Sequence, residues 1–227
     1  MNKGRAAARN KGAEYADADR LVFCDSDRFP DNDFLKNHLA VANKDYVSIG
    51  CPWDFFGNLN NIGLPPYDFT RIRKYSRQPL YYKKIIHLYN AQNISKSPIV
   101  WTSFLVGNSS VSKKQFFESG GFDNAFSTWG FEHFELAFRL YRNGIQFTTV
   151  PSSGNYHIPH PRDEGFYRKM IESSAGQLIE KYPDYRFDCL KKYLFGEISL
   201  QEFEINFGGL SSSTIESDEQ IYYKMKK

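Results

Sequence analysis

The sequence predicts an α/β protein: a mixed, mostly parallel sheet flanked by helices, with a helical extension at the C-terminal end. Three observations lead there. Short apolar runs rich in branched and aromatic residues recur near residues 21–24, 46–51, 99–106 and 145–150, the length of strands buried on both faces. Segments with helical spacing separate them, and alternation of this kind favours a parallel arrangement. From Asp163 onward the chain carries only helical patterns, broken at Pro183 and Gly196.

The 227 residues suit one domain or one plus a small appendage, with 41% hydrophobic residues for a core. A formal charge of +3 is too small and dispersed to argue for nucleic acid, yet it does not oppose an anionic nucleotide. Cys24, Cys51 and Cys189 are odd in number and widely spaced, which argues against a disulfide framework and a cysteine zinc site and points to a reducing compartment. The N-terminus is polar and no apolar run reaches membrane-spanning length, so the expectation is a cytoplasmic protein, free or peripheral to a membrane. Abundant Tyr and Phe could serve a carbohydrate cleft as stacking platforms, though aromatic excess more often marks core.

Taken in order, residues 4–17 are alanine-rich and helix-forming, and the run from Leu21 follows as a strand. A parallel sheet does not begin from a crossover helix, so the chain reads as lacking a preceding unit. The turn residues Arg28 to Asp31 lead to a helix over residues 33–43 capped by Asp31 or Asn32, then a strand over 46–51. Residues 52–97 are rich in glycine, proline, asparagine and aromatics and read as a packed or binding loop with one helix at 80–89. A strand at 99–106, a turn at 107–110 and a helix at 111–118 follow. Phe134, Phe138 and Tyr141 share one face of an amphipathic helix that starts near Glu132 and stops before Gly144. A strand at 145–150 and a proline-punctuated loop holding His157 and His160 come next. Three regions result: 1–165, a helical extension 166–208, and a flexible tail 209–227.

The chemistry gathers at a few residues. Asp25 and Asp27 end the first apolar run, at the strand edge where α/β sheets bind ligands. On an extended segment both side chains face one way, and two such charges want a counter-ion; Mg2+ or Mn2+ carrying a phosphorylated ligand is the economical one. The bland alternative is a polar turn, which Asp and Ser make routinely. Glu132 stands at a helix N-terminus, where the dipole favours its ionised form and suits a base or hydroxyl acceptor. His157 and His160 are placed for ligation just past a strand, although a lone histidine is more often structural.

Together these stretches resemble one family. ARNKGAEYADADRLVFCDSD is similar to the middle of a GT-A glycosyltransferase of the family 2 type, in which an ARN-bearing helix leads into the strand carrying DxD. GNSSVSKKQFFESGGFDNAFSTWGFEHFELAFRL resembles the C-terminal segment of galactosyltransferases, N-acetylgalactosaminyltransferases and bacterial chondroitin-type synthases, and YHIPHPRDE resembles the metal-binding histidine loop. The likeness spans residues 4–164, and motifs occurring together in order are more specific than any one alone. It implies a partial GT-A, Rossmann-like fold and a manganese- or magnesium-dependent transfer of a hexose or N-acetylhexosamine from a UDP-sugar to a glycan or other hydroxyl acceptor, leaning towards inversion. It implies metal ligation by Asp25, Asp27 and His157, with His160 the weaker candidate. Arg9, Asp25, Trp129 and Gly130 would bind substrate, and Glu132 and His133 compete as base with Glu132 favoured. Two departures stand out: Phe131 replaces the second glycine of WGG, which would narrow the pocket, and His133 replaces an aspartate. Family members carry a nucleotide-binding half before this segment, so another chain supplying that half is the implied partner. The competing reading is a non-catalytic remnant or partner subunit that binds glycan or another chain. A nucleotidyltransferase or phosphohydrolase is weaker, because it leaves the Trp129–Glu132 stretch unexplained.

Overall fold

The computed structural model describes residues 4–41, 45–58, 67–127, 130–183 and 186–208; Trp129 and the expected tail 209–227 lie outside them. The chain runs α1 (Gly4–Tyr15), β1 (Arg20–Phe23), β2 (Arg28–Pro30), α2 (Phe34–Leu39), β3 (Val47–Phe55), α3 (Phe69–Lys74), β4 (Ser76–Arg77), α4 (Leu80–Ile85), β5 (Ser109–Ser112), α5 (Lys113–Glu118), α6 (Glu132–Arg142), β6 (Phe147–His157), α7 (Phe166–Lys181), α8 (Arg186–Phe195) and α9 (Leu200–Gly208). Among the described residues, no helix is long and apolar enough to cross a membrane.

The sheet is mixed, in the order β1-β5-β3-β6-β2, with β4 on the outer part of β3. Its longest ladder, β3 with β6, is parallel and joins Val47–Asp54 to Phe147–His157 across a register shift at Gly50/Cys51. The other four ladders are antiparallel, so antiparallel pairing has a larger share than apolar runs alone suggested. The reason lies in two short polar strands. Residues 99–106 are not a strand: Val100–Ser103 is a 3-10 turn, with the hydroxyls of Thr102 and Ser103 donating to the carbonyls of Ile99 and Val100. Trp101 from that turn is fully buried against Phe134, Phe138, Phe187 and Phe207. A continuous apolar run fits a buried turn as well as a strand. The strand is instead Ser109–Ser112, whose Ser109 and Ser110 are polar yet buried.

A polar seam explains them. Ser110 accepts from Arg20 and lies 2.5 Å from Ser48; His38 bridges Ser48 and Asn108, and Asn108 donates to Ser153 and Asn155. Buried polar groups persist when bonded to one another in this way. Burial pushes His38 down to about 4, so it serves the seam as a neutral ring.

Capping fixes several boundaries. Ser112 accepts from the amide of Gln115, so the helix starts at Lys113, later than expected. Ser199 and Glu202 exchange side-chain-to-amide bonds, a capping box that starts α9. Helices α7–α9 contribute Ile171, Phe187, Leu190, Tyr193, Phe203 and Phe207 to the same apolar cluster as Val47, Ile49 and Val111 of the sheet. The aromatic-rich stretch after β3 holds α3 as well as α4, one helix more than expected. A second, smaller cluster of Phe55, Ile72 and Tyr156 sits at the other end of β3.

Candidate functional site

β1 ends at Phe23, and the chain turns at once: the Arg28 amide donates to the Asp25 carbonyl at 3.0 Å, and β2 begins. The turn sends the two aspartates to different partners, where an extended segment would have kept them on one side. Asp25 Oδ1 accepts from Arg9 Nη2 at 2.9 Å. Asp27 instead faces the end of β6. Antiparallel pairing of β2 with β6 sets Arg28 opposite His157, and the Ile158 amide donates to the Asp27 carbonyl. Asp27 Oδ2 lies 3.6 Å from His157 Nε2 and 3.4 Å from His160 Nε2. Asp27, His157 and His160 form a group able to hold a metal ion, and Asp25 is not part of it. The convergence of Asp27 and His157 thus comes from the short antiparallel β2–β6 ladder.

This group fits a divalent ion. Asp27 Oδ1 is buried without a hydrogen-bond partner, and an unmet buried carboxylate oxygen is what a cation would satisfy. One carboxylate with two imidazoles is a donor set that manganese and its first-row neighbours accept.

The second corner is built on Arg9. Its Nη1 donates to Glu132 Oε1 at 2.7 Å while Nη2 holds Asp25, so one guanidinium ties α1, the β1 exit and the start of α6 together. Asn10, beside it, fixes the turn before α6: its Nδ2 donates to the Phe122 carbonyl and its Oδ1 accepts from the Phe122 amide. Arg9 and Asn10 of the ARN motif therefore both have a geometric role. At Gly107 an added Cβ would lie 2.6 Å from Arg28 Nε and 2.9 Å from Asp25 Oδ2, so a larger residue in this loop would push those two side chains aside.

Gly130 has φ 101° and Phe131 φ 62°, both in the left-handed region. Phe131 thus keeps the backbone state that a glycine adopts freely. Its ring is buried in the core against Phe134. Glu132 is 2% exposed. Burial works to raise its pKa, but His133 and then Arg9 outweigh it and hold the carboxyl at about 2. Glu132 Oε2 and His133 Nδ1 are 3.9 Å apart, and both are buried without partners. Adjacent helical residues normally diverge by about 100 degrees; here both side chains reach the same space.

Sequence reasoning missed Asp54, whose Oδ1 lies 3.0 Å from His157 Nδ1. Its signal was an aspartate at the carboxyl end of a strand, hidden because the strand was ended at Cys51. A cavity of about 520 Å3 opens beside His157 and His160, walled by Phe56, Phe166, Tyr167 and Phe195 among others. Arg162 and Arg168 stack on the rings of Phe166 and Phe195 there.

Two family models match this chain. The model of glycosyl transferase family 2 matches residues 1–102, and that of the N-terminal domain of galactosyltransferase matches residues 86–161. Among curated relatives, validoxylamine A glucosyltransferase of Streptomyces hygroscopicus subsp. jinggangensis is 26% identical over 78% of this chain and 44% of its own. Chondroitin synthase of Escherichia coli is 27% identical over 70% and 25%, and human polypeptide N-acetylgalactosaminyltransferase 14 is 25% identical over 82% and 35%. The chain spans less than half the length of each. Among solved structures, S. aureus TarS 1-349 superposes with TM-score 0.51 at 11% identity, covering 88% of this chain and 56% of that one.

Proposed function

Because the chain is a family 2-like glycosyltransferase of the GT-A fold, we propose that it transfers a hexose or N-acetylhexosamine from a UDP-sugar to a hydroxyl of a glycan or other acceptor, with inversion. The observation that carries this reading is the Asp27, His157 and His160 cluster with its unmet Asp27 oxygen. Relatives named a glucosyltransferase and an N-acetylgalactosaminyltransferase support the two sugar classes.

In this proposal Asp27, His157 and His160 would hold Mn2+ or Mg2+, which would supply positive charge for the departing diphosphate. Asp25 and Arg9, with Trp129 and Gly130, bind the donor and its sugar. The acceptor hydroxyl gives its proton to His133 Nδ1 as its oxygen bonds the anomeric carbon and the bond to the diphosphate breaks. The base role passes from Glu132 to His133 because a carboxylate held at about 2 and paired with Arg9 is too weak a base near neutral pH. Glu132 keeps Arg9 and the acceptor hydroxyl in place. The site would act in the cytoplasm.

The test is a titration of UDP-sugar with and without Mn2+ for the wild type and Asp27→Ala. The proposal expects Mn2+-dependent binding that the substitution abolishes while the thermal unfolding midpoint stays within a few degrees. Equal Mn2+ dependence in both would end the metal assignment.

A second reading has one observation in its favour. The outer edge of β1 carries no partner strand among the described residues, which suits completion by another chain supplying a nucleotide-binding half, with this one binding glycan without turnover. Activity of the isolated chain separates the two.

A further inference from the structure

His157 has a carboxylate at each ring nitrogen. Nε2 lies 3.6 Å from Asp27 Oδ2, beyond hydrogen-bond length, whereas Nδ1 lies 3.0 Å from Asp54 Oδ1, within it. A carboxylate at Nδ1 draws the ring proton there and leaves the Nε2 lone pair bare, since a neutral imidazole carries one proton only. We infer that Asp54 is a positioning residue for the metal centre: it selects the tautomer of His157 and fixes the ring plane, so that Nε2 is presented to the ion beside Asp27.

The strand geometry supports this role. Asp54 stands opposite His157 in the parallel β3–β6 ladder, and paired residues of neighbouring strands project from the same face. On its other side Asp54 pairs with Arg77 of β4, so its backbone is held from both edges. Its side chain is 14% exposed, and among the described residues no arginine or lysine forms an ion pair with it. A carboxylate this fixed, without a cation of its own, is free to orient an imidazole. His160 differs: its side chain is 41% exposed, and its Nε2 lies 3.0 Å from Arg162 Nη2 with no carboxylate behind the ring. Of the two histidines, only His157 has a carboxylate at Nδ1 to orient its ring before an ion arrives. Oriented ligands lose less freedom on binding, and partners that hold ligating histidines in this way typically contribute about 10–100-fold in metal affinity.

The inference rests on the metal reading above, and two measurements on the full chain separate their fates. Mn2+ affinity is read from the paramagnetic resonance signal of the free ion for wild type, Asp54→Asn, Asp54→Glu and Asp27→Ala. The tautomer of His157 is read from the nitrogen shifts of its ring in metal-free wild type. The expected result is an Nδ1-protonated ring in the wild type. Asp54→Asn should then weaken Mn2+ binding about 10–100-fold, because a carboxamide can donate to Nδ1 and reverse the tautomer. Asp54→Glu should recover part of the loss, since it restores a carboxylate acceptor. Wild-type affinity in Asp54→Asn, or an Nε2-protonated ring in the wild type, overturns the role of Asp54 and leaves the metal site standing. Failure of the wild type itself to bind Mn2+ overturns both. Should Asp54→Asn lose its thermal transition, the wild-type tautomer and the affinity of Asp54→Glu decide.

Discussion

Helix α6 carries two buried glutamates three residues apart, and their surroundings are opposite. Glu135 has every oxygen engaged: Oε1 takes Arg139 Nε, the Tyr182 hydroxyl and Lys181, and Oε2 takes Arg139 Nη2. Arg139 in turn donates to the carbonyls of Ser119 and Gly121, and Lys181 to Asp123. Glu132 has one oxygen on Arg9 and the other unmet, beside an unmet nitrogen of His133. A complete network contributes to holding the fold; an incomplete one in the same helix leaves donors and acceptors for a ligand. The Glu135–Arg139 pair is therefore architectural, clamping the turn at Ser119–Gly121, whereas the start of α6 at Glu132 and His133 leaves polar atoms for a ligand.

The sharpest way to break this contrast is to remove Glu135. Glu135→Ala leaves Arg139 and Lys181 facing a void and should destabilise the fold by about 3–5 kcal/mol, the usual cost of stripping one member from a buried ion network. Urea denaturation measures it; a loss below about 1 kcal/mol would mean the network is not structural. On the other side of the contrast, His133→Asn should keep the urea midpoint and lower transferase activity about 10²–10⁴-fold, the usual contribution of a positioned base. The assay uses whatever assembly turns over. Near-wild-type activity there, with Glu132→Gln inactive, would return the base role to Glu132.

Asn10→Ala tests whether α1 belongs to the architecture as well as the site. It removes two bonds to the Phe122 backbone and leaves that amide and carbonyl in want of partners. The expected cost is about 1–3 kcal/mol in the same denaturation experiment. No change would confine the motif's role to Arg9.

The sequence singles out most residues of the candidate site, but not their pairings. Asp25, Asp27, Glu132, His133 and His157 stand out by residue type and by motif order. That Asp25 and Asp27 part company depends on the tight turn between β1 and β2, which spacing alone does not reveal. Asp54 gains its place through the β3–β6 register, which is long-range. The fold was legible where periodicity is strong, as in α6, where buried Phe134 and Phe138 and partly buried Tyr141 form the expected face. It was misread where burial is polar: Ser109–Ser112 looks like a turn because serine favours turns, and only the buried partners Arg20 and Ser48 make it a strand.

The smallest effect expected is an acid-range slope. Glu132 is held at about 2 in the folded chain against 4.5 ordinarily. Its folded pKa is depressed, so its contribution is present above the unfolded value and is lost as pH falls towards the folded one. Between those two values the unfolded chain binds more protons at this residue than the folded chain does, and stability declines with acidity. One carboxyl can supply a slope of at most about 1.4 kcal/mol per pH unit. Glu132→Gln cannot take up that proton, so its stability should fall less steeply from pH 4.5 downward, while the two curves run parallel above pH 6. Chemical denaturation at half-unit pH steps reads the difference. Parallel curves throughout would mean that Glu132 titrates alike in both states, and with it the argument that Arg9 and His133 hold it ionised would fall.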